Sequence, residues 1–385
     1  MYSYICSMEE YINPFLISAY IKPYYFCDRQ IETKTLLENI KNNSNTTFFA
    51  QRRLGKTALI QHVFNQLSTK QNTECIYLDI YATQNLKDFT NQLANSIYTI
   101  FPSNKGIGKR FLEAIKLFRP VISIDNLSGA PELTLDITQP KQFEKTIPQL
   151  LHFLDTQNIK TIIAIDEFQQ ILNYPEKNVE AILRTAIQQL KHVNFIFCGS
   201  NQHMMHELFN NTKRPFYAST KTIHLKKINN TLYFNFIKLH FNTNKFKITD
   251  DAINLILELS CSHTYYTQYL CHQLFIYNTK TINEQVVISI LNKIIIEQES
   301  VFFQYRNLLT SAQWQLLKAI GKEEKVEQPY SKHFINSYNF GTSAIVKRGI
   351  ESLLQKEMIY YDISAQKPYY EVYDKFLMRW LQRRH

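Results

Sequence analysis

The chain has 385 residues, 45% of them hydrophobic and 20% charged, so it is long enough for two or three domains and too apolar to be disordered. Its formal net charge of +10 favours an anionic partner, namely a nucleotide, a nucleic acid or an acidic protein. No apolar run approaches the roughly 18 residues of a membrane span. No signal peptide is recognisable, and the six cysteines form no C-x-x-C pair. We therefore expect a cytoplasmic protein with no membrane partner.

The first segment, residues 1–23, is predicted to be an N-terminal arm, because Asn13-Pro14 and Lys22-Pro23 interrupt it. An amphipathic helix of about ten residues then follows an aromatic-Asp-Arg sequence that contains Asp28. Two roles are open for Asp28. It could lie near the adenine of a bound nucleotide, or it could be the N-cap of that helix.

A strand, a tight loop and a helix are predicted over residues 46–67, where Ile60, Val63 and Leu67 recur at helical spacing. The loop matches the phosphate-binding pattern G-x-x-x-x-G-K-[ST] at every fixed position except the first, where Ala50 replaces glycine. Backbone N–H groups at such a helix start bind phosphate. The alternative is a basic strand-to-helix turn without a ligand. The expected nucleotide-binding residues are Asp28, Ala50, Gln51, Arg52, Arg53, Leu54, Gly55, Lys56, Thr57 and Ala58.

The segment from residue 74 to residue 156 alternates between predicted strands and helices. A buried strand over residues 74–80 precedes a helix from about Leu86 to Ile100. Two β-branched runs on either side of Asn126–Pro131 then predict a β-hairpin insertion. A further helix is expected from about residue 141 to residue 156.

A second motif, at residues 161–167, supplies the expected catalytic chemistry. Its apolar, β-branched run is typical of a strand buried on both faces of a parallel sheet, and two carboxylates, Asp166 and Glu167, stand at its end. Thr57 and Asp166 would hold Mg²⁺, while Lys56 would bridge the β- and γ-phosphates of ATP. Glu167 would be the general base that polarises the attacking water.

Two later segments carry further candidate residues. The buried strand at residues 194–199 ends in Ser200 and Asn201, and we expect it to lie between the two motif strands. Either residue could sense the γ-phosphate, or they could simply cap the next helix. Arg214, shortly before a last strand at Thr222–Leu225, could reach the γ-phosphate in cis or from a neighbouring subunit. The alternative is a solvated surface arginine.

The remainder of the chain is predicted to be helical and then to end in a winged helix. Residues 227–300 form the expected lid, in which we interpret His263 as structural because no metal-ligand partner stands at useful spacing. Residues 301–385 contain three predicted helices and a two-stranded wing, with 13 Lys or Arg against 8 Asp or Glu. This module would bind DNA or, alternatively, a protein. The candidate DNA-contacting residues are Thr342, Ser343, Lys347 and Arg348.

Together these motifs resemble the archaeal-type ATPases of the STAND branch of P-loop NTPases, an AAA-like family of ATP-binding proteins. The chain departs from that family at two places. Ala50 replaces the first loop glycine, and Ser262-His263-Thr264 replaces the Gly-x-Pro of the lid. The matching stretches are Phe26–Arg29, Gln51–Thr57, Ile165–Phe168, Cys198–Ser200, Arg214–Tyr217 and Trp314–Ile320.

The resemblance implies an α/β core of the ASCE type with a parallel sheet, here residues 24–226, followed by the helical lid and the C-terminal winged helix. It also implies a nucleotide-driven switch that is often a homo-oligomer. Our leading hypothesis is therefore an Mg²⁺-dependent ATPase in which nucleotide state alters the pose of the winged helix. One alternative is a nucleic-acid-binding regulator for which ATP is a slow or structural ligand. Another is a switch that binds a protein partner.

Overall fold

The computed structural model describes residues 13–18, 20–102, 106–126, 129–136, 140–363 and 365–384. Most of the predicted N-terminal arm lies outside these residues. The chain divides into two compact units, one formed by residues 20–225 and the other by residues 226–385 together with the N-terminal segment up to residue 19. Among the described helices, none is both long enough and apolar enough to cross a lipid bilayer.

The unit of residues 20–225 alternates strands with helices, as an α/β pattern requires. Short 3₁₀ helices also lie at Pro23–Tyr25, Lys116–Phe118 and Phe168–Asn173. Its helices are α1 (Gln30–Lys41), α2 (Lys56–Leu67), α3 (Leu86–Ile100), α4 (Gly106–Ala114), α5 (Pro140–Asp155), α6 (Val179–Gln188) and α7 (Gln202–Asn210). Its strands are β1 (Thr46–Ala50), β2 (Thr73–Asp79), β3 (Pro120–Ile124), β4 (Pro131–Leu135), β5 (Lys160–Asp166), β6 (Val193–Gly199) and β7 (Lys221–Leu225).

Five of these strands form one parallel sheet in the order β2-β5-β6-β1-β7. The prediction that a strand lies between the two motif strands is confirmed, because β6 pairs with both β1 and β5. All residues of β1 and β6 are buried, as expected for strands covered on both faces. The predicted hairpin is confirmed as the antiparallel pair β3–β4. The carboxyl ends of β1, β5 and β6 therefore meet at one edge of the sheet.

The unit that begins at residue 226 is mainly helical. It contains α8 (Asn230–Thr243), β8 (Lys247–Ile248), α9 (Asp250–Leu259), α10 (Thr264–Tyr277), β9 (Thr281–Ile282) and α11 (Glu284–Asn307). It continues through α12 (Ser311–Glu323), α13 (Lys332–Ser337), α14 (Ser343–Gln355), β10 (Ile359–Asp362), β11 (Tyr369–Val372) and α15 (Lys375–Arg384). Helix α11 passes through residue 300 without a break, so the lid and the winged helix share one continuous helix.

The winged helix has the expected three helices and wing, in α12, α13, α14 and the antiparallel pair β10–β11. Helix α12 begins with a capping box, in which Thr310 and Gln313 bond reciprocally to backbone N–H groups. Helix α15 is an additional element that the sequence analysis did not predict. Its apolar face is buried, and Phe376 and Trp380 are each no more than 2% exposed.

Helix α15 joins the winged helix to the lid. The Arg379 residue is 7% exposed, and its guanidinium donates to the backbone oxygens of Leu259 at 3.0 Å and Glu258 at 2.8 Å, at the C-terminal end of α9. The same guanidinium forms an ion pair with Glu324, just after α12. A carbonyl-rich helix end attracts a cation. One buried arginine thus links α15, α9 and the end of α12.

Candidate nucleotide-binding site

The predicted phosphate-binding loop joins the end of β1 to the start of α2. Gly55 has a φ of 92°, in the left-handed region that favours glycine, and α2 begins at the next residue, Lys56. Ala50, by contrast, ends β1 in extended backbone and is fully buried. Extended backbone accepts any L-residue, so alanine replaces the expected first glycine without backbone strain.

The loop is anchored by an apolar side chain. Leu54 is 2% exposed and packs into the apolar cluster formed by α1, α2 and one face of the sheet. This contact fixes the loop directly before Gly55. Of the other loop residues, Gln51 and Lys56 are buried, Ala58 is half-buried, and Arg52, Arg53 and Thr57 are exposed.

Arg29 supports the loop from α1, a role that the sequence analysis did not assign. Its side chain is 3% exposed and donates from Nη2 to the Leu54 carbonyl oxygen at 3.2 Å. Its Nη1 also forms an ion pair with Glu32 at 3.0 Å. Leaving a buried guanidinium without partners is unfavourable, so these contacts fix the distance between α1 and the loop. The only sequence signal was the Asp-Arg pair before the helix.

Asp28 is half-buried and does not cap α1. The N-cap position of α1 is Arg29, and its side chain makes no capping bond to the helix backbone. Both Asp28 and Arg29 have positive φ, at 57° and 68°, so the chain turns sharply at this pair. Nearby, the Phe26 ring stacks on His62 of α2, with 4.4 Å between the ring centroids. The alternative interpretation of Asp28 as the helix cap is therefore wrong, while a role near the nucleotide stays a prediction.

Thr57 and Asp166 meet where the loop helix faces the end of β5. The Thr57 hydroxyl donates to Asp166 Oδ2 at 3.2 Å, although the two residues are far apart in sequence. The Tyr77 hydroxyl, from β2, donates to the same oxygen at 2.6 Å. Burial, together with the Asp166 charge, raises the pKa of Tyr77, so this phenol remains a proton donor. A hydroxyl and a carboxylate oxygen are ligands that Mg²⁺ accepts, and these two fit such an ion.

Glu167 follows Asp166 and turns sharply out of the sheet, with a φ of 55°. Its backbone N–H donates to Asp166 Oδ1 at 2.9 Å. Its Oε2 accepts two side-chain bonds, from the Ser200 hydroxyl at 2.7 Å and from Gln169 Nε2 at 2.5 Å. The structure thus brings the two predicted carboxylates together beside the end of β6.

Lys56 belongs to the same cluster. The thiol of Cys198, fully buried near the end of β6, has its pKa raised first by burial and then by the charge of Asp166, whereas the charge of Lys56 lowers it. Glu167 also raises the pKa of that thiol. The Cys198 thiol is therefore close enough to Lys56, Asp166 and Glu167 for the charge of each of them to shift its pKa.

Asp79 is a third carboxylate at this edge that the sequence analysis did not select. It ends β2 directly opposite Asp166 in the strand register. Burial raises its pKa, a bond from the Tyr81 N–H lowers it, and the charges of Asp166 and Glu167 raise it further. The sheet edge therefore concentrates negative charge, which suits a site that binds a cation.

Asn201 caps the helix that follows β6. Its Oδ1 accepts a bond from the Met204 N–H at 3.1 Å, at the start of α7. This contact agrees with the alternative that Asn201 serves as a helix cap. Ser200 instead directs its hydroxyl to Glu167. Of the two sensor candidates, Ser200 is the one bonded to the carboxylate cluster.

Arg214 is paired with two glutamates. Its guanidinium lies 2.7 Å from Glu180 Oε1, on α6, and 2.6 Å from Glu207 Oε1, on α7. Its pKa is raised, first by the bond to Glu207. The side chain is 30% exposed, so it is neither fully solvated nor sequestered. Contact between Arg214 and a phosphate would require these ion pairs to open.

The candidate DNA-contacting residues lie at the start of α14. All four side chains, those of Thr342, Ser343, Lys347 and Arg348, are exposed. Thr342 is the N-cap of α14 and accepts a bond from the Ile345 N–H at 3.4 Å. The other three remain on an open helix face, as the second helix of a helix-turn-helix requires.

In the lid, His263 precedes α10 and is 2% exposed, with its ring 5.0 Å from that of Tyr266. The neighbouring Ser262 hydroxyl donates to Asn230 Oδ1 at 2.6 Å. These contacts are internal to the lid and agree with the interpretation of His263 as a structural residue.

Comparison with known proteins gives a consistent assignment. Residues 26–263 match the family described as the ATPase domain predominantly from Archaea, and residues 300–383 match a probable winged helix domain. Among solved structures, the chain is similar to the Walker-type ATPase of Pyrococcus abyssi, with 16% identity, a TM-score of 0.66, and coverage of 96% of this chain and 99% of that chain. It is also similar to the ORC2 protein of Aeropyrum pernix in ADPNP–ADP complexes, with 12% identity, a TM-score of 0.56, and coverage of 96% and 97%. No curated protein matches the chain.

Because the sequence identities are so low, the two structural similarities are evidence for the fold alone. They cover nearly the whole chain. They confirm the predicted P-loop core with a parallel sheet and a C-terminal winged helix. The family match is more specific, because it covers well over half of the sequence and contains the loop, both carboxylates and the following strand. The chain belongs to the family of ATPase domains found predominantly in Archaea, and it carries a winged helix domain after its ATPase domain.

Proposed function

We propose that this ATPase is an Mg²⁺-dependent, nucleotide-controlled switch that hydrolyses the γ-phosphate of ATP by attack of water. The observation that supports the proposal most directly is the 3.2 Å contact between Thr57 and Asp166. It places the last residue of the phosphate-loop motif against the first carboxylate of the second motif, as Mg²⁺ coordination in this class of enzyme needs.

In the proposed mechanism, the backbone N–H groups before Lys56 and at the start of α2 bind the β-phosphate. The Lys56 ammonium neutralises charge on the β- and γ-phosphates. Thr57 and Asp166 would hold Mg²⁺, and the ion would supply charge neutralisation of the phosphates. Glu167 orients the attacking water and accepts its proton.

Two substitutions test these roles. Lys56→Ala should abolish nucleotide binding, measured by titration with a fluorescent ATP analogue. Glu167→Gln should retain binding but stop turnover, measured by phosphate release. Glu176→Gln, near the start of α3 where its carboxylate accepts a bond from the Leu86 N–H, is a control with the same change of charge. If Glu167→Gln hydrolyses ATP at the parental rate, Glu167 is not the general base.

Arg214 is proposed as an arginine finger, in cis or towards a neighbouring subunit of a homo-oligomer. Because Glu180 and Glu207 now pair with it, the test must separate the two effects. Arg214→Ala should lower kcat without changing ATP affinity, and Glu207→Gln should not lower kcat. If Arg214→Ala has the parental kcat, the role of Arg214 is limited to its ion pairs with Glu180 and Glu207. The mass of the ATP-bound protein in solution tests for the oligomer.

The second candidate function is DNA binding through α14, for which ATP would be a slow or structural ligand. The exposed Lys347 and Arg348 at the start of that helix support it. Affinity for duplex DNA should fall steeply with salt. It should vanish in the double variant Lys347→Glu/Arg348→Glu but not in Lys318→Glu/Lys322→Glu, on α12. Absence of DNA binding at low salt would favour a protein partner for the winged helix.

The remaining assignments stay predictions. They are the placement in the STAND branch and among AAA-like proteins, the sensor role of Ser200 or Asn201, the cytoplasmic location, and the division into core, lid and winged helix at residues 226 and 300. Hydrolysis rates with and without duplex DNA would separate the leading function from its alternative. Faster ATP hydrolysis in the presence of DNA would support a switch in which the nucleotide site and the winged helix are coupled.

A further inference from the structure

The Oε2 atom of Glu167 accepts hydrogen bonds from two residues that lie on different elements. Gln169 Nε2, in the 3₁₀ helix after β5, lies 2.5 Å from Glu167 Oε2. The Ser200 hydroxyl, just after β6, lies 2.7 Å from the same oxygen, and the Ser200 N–H lies 3.4 Å from it. Donors from two elements that converge on one carboxylate oxygen restrict its rotation more than one donor can.

The structure makes room for Gln169 at a specific position. A Cβ atom on Gly199, the last residue of β6, would lie 2.0 Å from Gln169 Oε1 and 2.8 Å from Met205 Sδ. Such contacts are impossible without displacement of both side chains. Gly199 therefore permits the Gln169 amide to lie against the end of β6, where it reaches Glu167.

Gln169 does not behave like an ordinary structural glutamine. Its side chain is 9% exposed, and Oε1 is buried without a hydrogen-bond partner among the described residues. If the amide were flipped, its Oε1 would face the Glu167 carboxylate and the two oxygens would repel each other. The charge of Glu167 therefore determines that Oε1 is the unpaired atom of the amide. A methionine would fill this space without a buried unpaired oxygen. Among the described residues, the bond to Glu167 is the hydrogen bond that the Gln169 amide makes and that a methionine could not.

From this geometry we infer that Gln169 is a positioning residue for ATP hydrolysis: with Ser200 it fixes Glu167 Oε2, so that Oε1 is the oxygen that faces the attacking water. This inference rests on the proposed function of Glu167 as the general base. No bond to the substrate is made by Gln169 itself. Its amide sets the rotation of the carboxylate and hence the geometry of proton transfer.

The principal test is Gln169→Met in the full chain, because methionine keeps the volume and removes the donor. A freely rotating carboxylate spends less time in the productive orientation, so kcat should fall about ten- to a hundredfold, as for loss of a bond to a charged group. The KM for ATP and the affinity for a non-hydrolysable ATP analogue should stay within about twofold. Gly199→Ala should give the same kcat loss by displacing the Gln169 amide.

The matched control is Gln170→Met, at the next residue of the same 3₁₀ helix. Its Nε2 donates to the Thr83 carbonyl oxygen at 2.9 Å and not to Glu167, so kcat should remain near parental. Ser200→Ala should also lower kcat, and Ser200→Thr, which keeps the hydroxyl, should restore it. Thermal unfolding of each variant reports whether a loss of activity reflects a loss of folding.

Three outcomes overturn the inference. The first is a parental or higher kcat in Gln169→Met. The second is a kcat loss in Gln170→Met equal to that in Gln169→Met. The third is a loss of ATP affinity, in place of a loss of kcat, in Gln169→Met. Failure of the proposed function is recognised separately by Glu167→Gln. If that variant is active, Glu167 is not the base and the inference falls with it. If it is inactive while Gln169→Met is fully active, only the positioning role is wrong.

Discussion

At the scale of single residues, the site depends on side chains that converge from distant parts of the sequence. Asp166 accepts bonds from Thr57 and Tyr77, which come from α2 and β2. Glu167 accepts bonds from Ser200 and Gln169. Each carboxylate of the second motif therefore has its own pair of side-chain donors, and in the proposed mechanism the two carboxylates would serve different steps, metal binding for Asp166 and water activation for Glu167.

Tyr77→Phe should weaken the response to Mg²⁺. The phenol hydroxyl orients Asp166, and loss of a partner that orients a metal ligand typically costs about ten- to a hundredfold in metal affinity. The Mg²⁺ concentration that gives half-maximal ATPase activity should therefore rise about tenfold. Tyr81→Phe is the control, because that ring is 68% exposed. An unchanged Mg²⁺ response in Tyr77→Phe would show that the phenol does not orient Asp166.

Gly55→Ala should weaken nucleotide binding. A residue with a Cβ at a φ of 92° is strained by about 1–3 kcal/mol. The loop would relax away from the shape that binds phosphate, and the Kd for ATP should rise about tenfold or more. Gly106→Ala is the control, because a Cβ there meets no atom within 4 Å. Equal effects of the two substitutions on Kd would contradict the argument.

The sequence predicts site residues where local chemistry dictates the residue type. It does not predict contacts between residues that are far apart in the sequence. The loop from Ala50 to Thr57 and the pair Asp166-Glu167 were recognisable from spacing alone. Arg29 and Tyr77 were not, because nothing local distinguishes a structural arginine or a strand tyrosine from one bonded to the site. Their partners, Leu54 and Asp166, are brought near only by the fold.

At the scale of elements, the parallel sheet sets the order in which the motifs meet. Insertion of β6 between β1 and β5 places Ser200 beside Glu167. The strand itself was predicted from its long buried run that ends in polar residues, whereas its place between the two motif strands was expected from the resemblance to P-loop NTPases. Helix α15 was not predicted, because its ten residues mix the apolar face with Lys375, Arg379 and Arg383. Those basic residues obscured a helical pattern that becomes evident only once the buried face is known.

Arg379→Ala should destabilise the unit of residues 226–385. The substitution removes a buried cation that bonds to two carbonyl oxygens at the end of α9 and to Glu324. Leaving these partners unpaired should lower the free energy of unfolding by about 3–5 kcal/mol, measured by chemical denaturation. Arg383→Ala, in the same helix but exposed, should change it by less than about 1 kcal/mol. Equal losses would refute a specific role for Arg379.

Glu371→Ala should destabilise the same unit. Glu371 is 1% exposed and forms ion pairs with Lys227 at 3.0 Å and with Lys375 at 3.1 Å. Burial lowers the pKa of the fully buried Lys375, and the Glu371 charge raises it. Removing the carboxylate leaves a buried ammonium without its counter-charge, a loss of about 3–5 kcal/mol in the free energy of unfolding. Glu327→Ala, from the exposed pair with Lys367, should cost less than about 1 kcal/mol.

At the scale of the whole molecule, binding at the loop should be visible as global stabilisation. A ligand that binds only the folded protein at 100 times its Kd raises the free energy of unfolding by about 2.7 kcal/mol. Mg²⁺-ADP should therefore raise the midpoint of thermal unfolding in the parental chain but not in Lys56→Ala. Lys70→Ala, at an exposed position beyond α2, should retain the full shift. A shift that survives in Lys56→Ala would place the nucleotide elsewhere.

The buried contacts of Arg379 and Glu371 bear on how the C-terminal module could work. Lys227 lies directly before the lid helices, Glu371 lies in the wing, and Arg379 reaches back to α9. A winged helix that was attached only by a flexible linker would sample many orientations independently of the lid. In this chain buried contacts hold the winged helix to the lid at two places, so we expect the α14 face to move together with the lid as one body.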